Sequence, residues 1–273
     1  MKMRIEPNGS GGRGKTSSES RKGKRRQKRI SAVQKLYETC KEVFADCGPG
    51  IVPSPENVEK LAAVLDGMTQ EDVGLRPNMP FFSKECAPII TYMRLHECEK
   101  FSIGIFCLPP KTVIPLHNHP GMTVFSKLLF GTMHIRSLDW ADKVDDCTTM
   151  SAVDPKNDNG LCLAKVKVNS EFTQPCNTSI LYPADGGNMH RFTAKTACAV
   201  LDVLGPPYCD PEGRHCQYYL ELPFPQLSVG DVSVEAEEGE AEEERFAWLK
   251  EMEKPDDHVV VGVVYNGPKI VRK

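Results

Sequence analysis

No apolar signal segment follows Met1 and no run is long enough to span a bilayer, so neither secretion nor a membrane span is expected. No C-x-x-C pair or zinc-ribbon spacing occurs among the eleven cysteines. An odd, scattered set of thiols argues against a disulfide framework and for a reducing compartment. Net charge is small, at −3, but unevenly placed: a basic cluster occupies 21–29 and an acidic segment 235–244. No aromatic side chain interleaves the basic cluster to stack on bases, so nucleic acid is not an expected partner. The cluster reads as a nuclear-import signal or as a solvated tail, and the expected location is nucleus and cytoplasm. No internal repeat is present.

At 273 residues with 40% hydrophobic content, the chain can bury one sizeable core and does not demand two domains. Residues 1–30, rich in Gly, Ser, Lys and Arg, cannot bury much apolar surface and are expected to be disordered. Residues 31–88 read as a helical segment. Val33, Leu36, Tyr37, Cys40, Val43 and Phe44 repeat at helical spacing over 31–46. Ser54 and Pro55 open a second helix that stops near Gly67, whereas 69–73 is too short for a third.

From 89 to 273, short β-rich runs dominate: 89–95, 101–108, 113–119, 126–138, 161–168, 178–182, 191–203 and 218–222. Turn residues separate most of them, which predicts a mainly β chain, an antiparallel barrel with the helices packed outside it. A long loop over 142–161 is expected to border the substrate mouth, and an acidic insertion lies near 233–244. Past the insertion, 245–252 reads as a helix and 258–265 as a strand returning to the sheet. The protein is expected to act as a monomer.

His117 and His119 are one residue apart, and on an extended strand such side chains share a face and can bond one ion. Two imidazoles make a poor metal site, and H-x-H pairs also arise by chance around hydrogen-bonded core histidines. The surroundings favour a site. Gly131 sits at a tight strand turn, and Pro183 with Gly186 and Gly187 turns the chain to deliver His190 to the start of another strand. Three imidazoles on one side of an ion leave the opposite positions open, as catalysis requires. Being neutral, they leave a divalent ion its full charge, which favours an anionic soft ligand such as a thiolate. His96, His134, His215 and His258 lack the paired spacing and are expected to be surface or core residues, although His134 lies on a strand expected to line the barrel.

Asp202 ends the hydrophobic run 197–203 and by alternation shares a face with Val200. A carboxylate buried there is costly unless paired; it would hold a substrate ammonium, orient a histidine, or satisfy turn amides. Tyr208 follows the rigid turn Gly205-Pro206-Pro207, so its ring is expected to be fixed.

Together, His117-x-His119, Gly131, Pro183 and Gly187-x-x-His190 resemble the two cupin motifs, which implies a small antiparallel barrel or jelly roll with a metal inside. The usual cupin has a glutamate four or five residues after the second histidine; here Thr123 and Val124 stand there. A three-histidine cupin without that carboxylate resembles a thiol dioxygenase. The strings Pro115-Leu-His-Asn-His-Pro-Gly-Met-Thr123, Leu138-Asp-Trp140 and Asp202-Val-Leu-Gly-Pro-Pro-Tyr208 are similar to those of the plant cysteine oxidases, relatives of animal cysteamine dioxygenase, and the likeness runs over 32–273.

That resemblance implies Fe(II) at His117, His119 and His190, with Asp202 and Tyr208 near the substrate. It implies transfer of both atoms of dioxygen to the N-terminal cysteine of a protein, notably transcription factors of the ethylene-response type. The sulfinic product marks them for arginylation and degradation by the N-degron pathway, and dependence on dioxygen makes the enzyme a hypoxia sensor. Cys216 and Tyr218, on one strand face, resemble the cysteine–tyrosine crosslink of some animal thiol dioxygenases; two unlinked residues are the alternative. Two other readings stand beside this one: a dioxygenase of small thiols, cysteamine or cysteine, and a non-catalytic metal-binding cupin. Free cysteine would favour an arginine partner for its carboxylate, and only Arg191 adjoins the candidate ligands.

Overall fold

The computed structural model describes residues 30–82, 89–141, 160–224 and 245–272. The basic tail, nearly all of the expected loop over 142–161 and the acidic segment lie outside these residues. No helix among the described residues is long and apolar enough to cross a membrane.

Two helices come first. Ser31 caps α1 (Ala32–Val43) by accepting a hydrogen bond from the Gln34 amide, and Ser54 does the same for α2 (Pro55–Asp66), which has proline in its first turn. Val33, Leu36, Tyr37, Cys40 and Val43 form the buried stripe of α1, and Val58, Leu61 and Leu65 that of α2. Fully burying each leucine contributes roughly 1.5–3 kcal/mol. The helix ends are fixed by polar contacts. Asp66 accepts from the Thr178 amide at 2.7 Å and hydroxyl at 2.6 Å, and it pairs with the buried Lys127, whose Nζ also donates to the Cys176 carbonyl.

Twelve strands follow among the described residues, in two six-stranded sheets. One sheet has the order β12 (Val260–Val263), β1 (Ile90–Glu97), β2 (Ser102–Leu108), β9 (Cys198–Gly205), β4 (Thr123–Phe130), β7 (Ser179–Leu181). The other closes as β10 (Tyr218–Pro223), β11 (Phe246–Met252), β6 (Leu161–Thr173), β5 (Thr132–Trp140), β8 (Met189–Ala194), β3 (Val113–His117). Pairing is antiparallel except for β12 against β1. This is the expected mainly β, cupin-type barrel with its helices outside.

The period-two alternation of β9 divides the interior. Ala199, Leu201 and Val203 face outward into the core shared with α1 and α2, while Cys198 and Val200 face the inside of the barrel, in line with Asp202. At the end of β9, Phe44 packs so closely over Gly205 that a Cβ there would sit 2.1 Å from the ring. Only a glycine lets α1 approach the sheet this far.

Four expectations need correction. The segment 245–252, expected as a helix, is strand β11: Ala247 and Leu249 alternate inward, and it fills the gap between β10 and β6. The run 126–138 is two strands parted at Gly131, whose φ of 89° suits glycine and where a Cβ would lie 2.3 Å from the Ala197 carbonyl. The run 191–203 is likewise divided, into β8 and β9. Strand β3 stops at His117, because the Asn118 amide leaves the ladder to donate to the Gln217 carbonyl. His119 therefore lies beyond the strand. His134, on β5, turns its side chain away from the barrel, since Met133, Ile135 and Ser137 take the inward positions.

Candidate metal centre

His117, His119 and His190 converge although they do not share one strand. The register of β3 and β8 sets His117 directly opposite His190. His119 reaches the same point from the turn after β3. The ring centroids lie 4.8 Å (His117 to His119), 4.9 Å (His117 to His190) and 4.6 Å (His119 to His190) apart, and one ligand nitrogen from each lies within 4.8 Å of the others. Such a group of buried imidazoles could hold a metal ion.

The hydrogen bonds behind the rings fit that use. His117 Nδ1 donates to the Pro115 carbonyl at 2.8 Å and His119 Nδ1 to the Asn188 carbonyl at 3.0 Å. Each bond places the proton on Nδ1 and leaves Nε2 with a free lone pair, the arrangement metal-ligating histidines adopt. Burial lowers the His117 imidazole to about 4 and His119 to about 3, with the neighbouring rings adding to the effect, and it holds His190 well below its ordinary range. All three are neutral at pH 7, as ligands must be.

A carboxylate that the sequence reading quoted only within the string Leu138-Asp-Trp140, without a role, holds the turn that carries His190. Asp139, buried on β5, accepts from the Gly187 amide at 3.0 and 2.9 Å and from the Asn188 amide at 2.8 Å. Asn188 in turn accepts from the His119 amide and donates to the carbonyls of His119 and Tyr182. The sequence signals were the string Leu138-Asp-Trp140, which holds Asp139, and the turn that holds Asn188. Nothing in that pattern says that they meet.

Asp202 lies on the inner face of β9, paired in register with Ser126 of β4 and Gly104 of β2. Burial raises its carboxyl to about 7, and Ser126 counteracts this only in part. The Ser126 hydroxyl makes no hydrogen bond of sound geometry, and Asp202 Oδ1 has no partner among the described residues. Turn amides do not satisfy it. An orphaned, buried carboxyl oxygen is suited to a cationic group entering from outside.

Tyr208 closes one side. Its hydroxyl donates to the Asn118 carbonyl at 2.7 Å, which ties the chain after β9 to the turn after β3, and its ring lies 5.8 Å from that of His119. Burial first, then the Cys216 thiol, raise its hydroxyl well above the ordinary tyrosine range, so it stays protonated. Cys216 is a free thiol beside the hydroxyls of both Tyr208 and Tyr218. His258 is buried 5.9 Å from Tyr218, and His96 belongs to the opposite sheet. Arg191 points outward to Glu221, which also pairs with Arg136. No arginine is therefore directed at the three histidines from β8.

The chain matches the PCO_ADO family over residues 64–270. It is 59% identical to plant cysteine oxidase 1 of Arabidopsis thaliana, over 88% of this chain and 81% of that one. Identity to plant cysteine oxidase 2 of the same organism is 55%, over 98% and 94%. Human 2-aminoethanethiol dioxygenase is 31% identical over 79% and 82%.

Proposed function

Because this chain belongs to the PCO_ADO family and is a thiol dioxygenase, we propose that it oxidises the N-terminal cysteine of proteins to cysteine sulfinic acid, using Fe(II) at His117, His119 and His190. The reaction adds both atoms of dioxygen to one sulfur, R-SH + O2 giving R-SO2H, and needs no further reductant. The observation that carries the choice of substrate is Asp202. A buried carboxylate with an unpartnered oxygen, close enough to Tyr208 to affect its hydroxyl, offers a counter-charge for the α-ammonium of an N-terminal cysteine.

Fe(II) would supply the redox chemistry that brings dioxygen and a thiolate together. The residues of the chain do the rest. The two Nδ1 bonds hold His117 and His119 in the ligating tautomer, and Asp139 and Asn188 set the turn that delivers His190. Asp202 orients the amine, and an ammonium placed there would draw its carboxyl back into the ionised form. Tyr208, anchored on Asn118, keeps a protonated hydroxyl at the wall beside His119. In the cell, we place the enzyme in nucleus and cytosol, acting as a monomer on transcription factors of the ethylene-response type, whose oxidised N-termini enter the N-degron pathway. Turnover then falls with oxygen, which makes the enzyme a hypoxia sensor.

The likeness to 2-aminoethanethiol dioxygenase favours a second substrate class, small aminothiols, since cysteamine carries the same ammonium. The outward direction of Arg191 disfavours free cysteine, whose carboxylate would find no partner there. Mass spectrometry separates these readings. A Cys-initiated peptide incubated aerobically with iron-loaded protein should gain two oxygens, and the same peptide acetylated at its N-terminus should gain none. Oxidation of cysteamine with no change in either peptide would overturn the protein-substrate reading.

A further inference from the structure

A cavity lies apart from the three histidines. It has a volume of about 620 Å³ and lies where β1 and β12 end, walled by Tyr92, Arg94, His96, Tyr265, Lys269 and Arg272. Three of these are permanent cations. Arg94 pairs with Glu97 at the surface, whereas Lys269 and Arg272 have no ion-pair partner among the described residues. The backbone between them is tied to α1: the Val271 amide donates to Gln34 Oε1 at 2.7 Å, and Gln34 Nε2 donates back to the Val271 carbonyl at 3.1 Å. His96 is 6% exposed and its Nδ1 has no hydrogen-bond partner. Arg94, Lys269 and Arg272 give this cavity a cationic wall, complementary to carboxylates.

The cavity opens at the same end of the barrel as the histidines. β1 runs parallel to β9 through β2, so the C-terminal ends of both face one way, and the Tyr208 to Asn118 bond ties the end of β9 to the end of β3. Asp202, Gly104 and Arg94 are register partners on three successive strands. Neighbouring strands are about 4.8 Å apart, so the backbone of Arg94 is roughly 10 Å from that of Asp202. Gly104 leaves the floor between them without a side chain, and the ring of Tyr92 lies over it, where a Cβ would be 2.4 Å away.

We propose that this cavity docks an acidic segment of the protein substrate, downstream of the N-terminal cysteine whose amine faces Asp202. The proposal rests on the N-terminal-cysteine reading given above. At about 3.3 Å per residue, an extended chain reaches the cavity roughly three to six residues after the cysteine. Carboxylates there would meet Lys269, Arg272 and the free edge of Arg94. Docking would bind ground state and transition state alike, so it acts on KM and leaves kcat unchanged.

The test uses iron-loaded full-length protein and three Cys-initiated peptides: one of about ten residues with acidic side chains at those positions, its Asn/Gln counterpart, and a short one ending before the cavity. The acidic peptide should have a KM lower by about five- to tenfold than its neutral counterpart at low salt, and the gap should close as salt rises. Lys269→Glu with Arg272→Glu should remove the advantage while leaving the short peptide's kinetics unchanged, which also shows that the variant folds. Equal KM for acidic and neutral peptides, or an acidic preference that survives both substitutions, would overturn the docking site. Failure of all three Cys-initiated peptides to be oxidised would instead remove the N-terminal-cysteine reading beneath it.

Discussion

His119 and Asn188 grip each other through three hydrogen bonds: the His119 amide donates to Asn188 Oδ1 at 3.0 Å, His119 Nδ1 to the Asn188 carbonyl at 3.0 Å, and Asn188 Nδ2 to the His119 carbonyl at 2.9 Å. Since His119 stands beyond the end of β3, no strand ladder fixes it. Asn188 does so from the turn that also carries His190, which couples the two ligands that come from different parts of the chain.

Asn188→Ala should therefore weaken metal binding without removing a ligand. Loss of such an outer partner lowers affinity or activity by about tenfold to a hundredfold. Titration of the apoprotein with Fe(II) under anaerobic conditions measures it. An unchanged affinity would mean that the Pro183 to Asn188 turn holds both histidines without this side chain.

His190→Asp should abolish or sharply reduce iron binding and turnover. A carboxylate at that position is shorter than the imidazole and cannot reach the point where the His117 and His119 rings converge, and it cancels part of the ion's charge. Metal analysis of the purified variant, beside oxygen uptake with a Cys-initiated peptide, gives the answer; a fully active variant would exclude His190 from the site.

How much of this site was legible depended on whether the signal was local. His117, Gly187 and His190 stand in short strings whose turn chemistry shows where the chain bends, and the inward direction of Asp202 follows from alternation with Val200. Asp139 stands in a short string too, Leu138-Asp-Trp140, but its role was not legible there, because its partners, the amides of Gly187 and Asn188, are nearly fifty residues away and meet it only when β5 pairs with β8. The strand β11 was misread as a helix for a similar reason. Its seven residues carry Lys250 and Glu251, which suit a helix, and only the vacancy between β10 and β6 makes them a strand.

Gly187→Ala should cost stability and metal affinity together. Its φ of 85° disfavours any side chain by roughly 1–2 kcal/mol, and a Cβ would come within 2.3 Å of the Ser137 hydroxyl. Ser137 lies opposite His190 in the register of β5 and β8, so relief of the clash moves the ligand's own strand pair. The check is a lowered thermal midpoint in the metal-free protein combined with weaker Fe(II) binding. A lowered midpoint with unchanged binding would show that the turn and the ligand are independent.

Asp202→Asn separates stability from activity. Burial raises the carboxyl from an ordinary 3.8 to about 7, so in the metal-free protein folding favours its protonated form. For a raised acid the sign is fixed: the favourable contribution is complete below about pH 4 and is lost as pH rises through about 7, where ionising the buried group opposes folding. Asparagine cannot ionise, so the variant should match the parent near pH 4 and exceed it at pH 8, by roughly 2–4 kcal/mol, since a shift of one unit corresponds to 1.36 kcal/mol. Chemical denaturation of both metal-free proteins at the two pH values measures this. Activity should move the other way, with KM for a Cys-initiated peptide raised at pH 8 because the counter-charge for its ammonium is gone. A variant that is stabilised but keeps its KM would place the amine elsewhere, and one that is destabilised at pH 8 would mean that Asp202 is already paired in the folded protein.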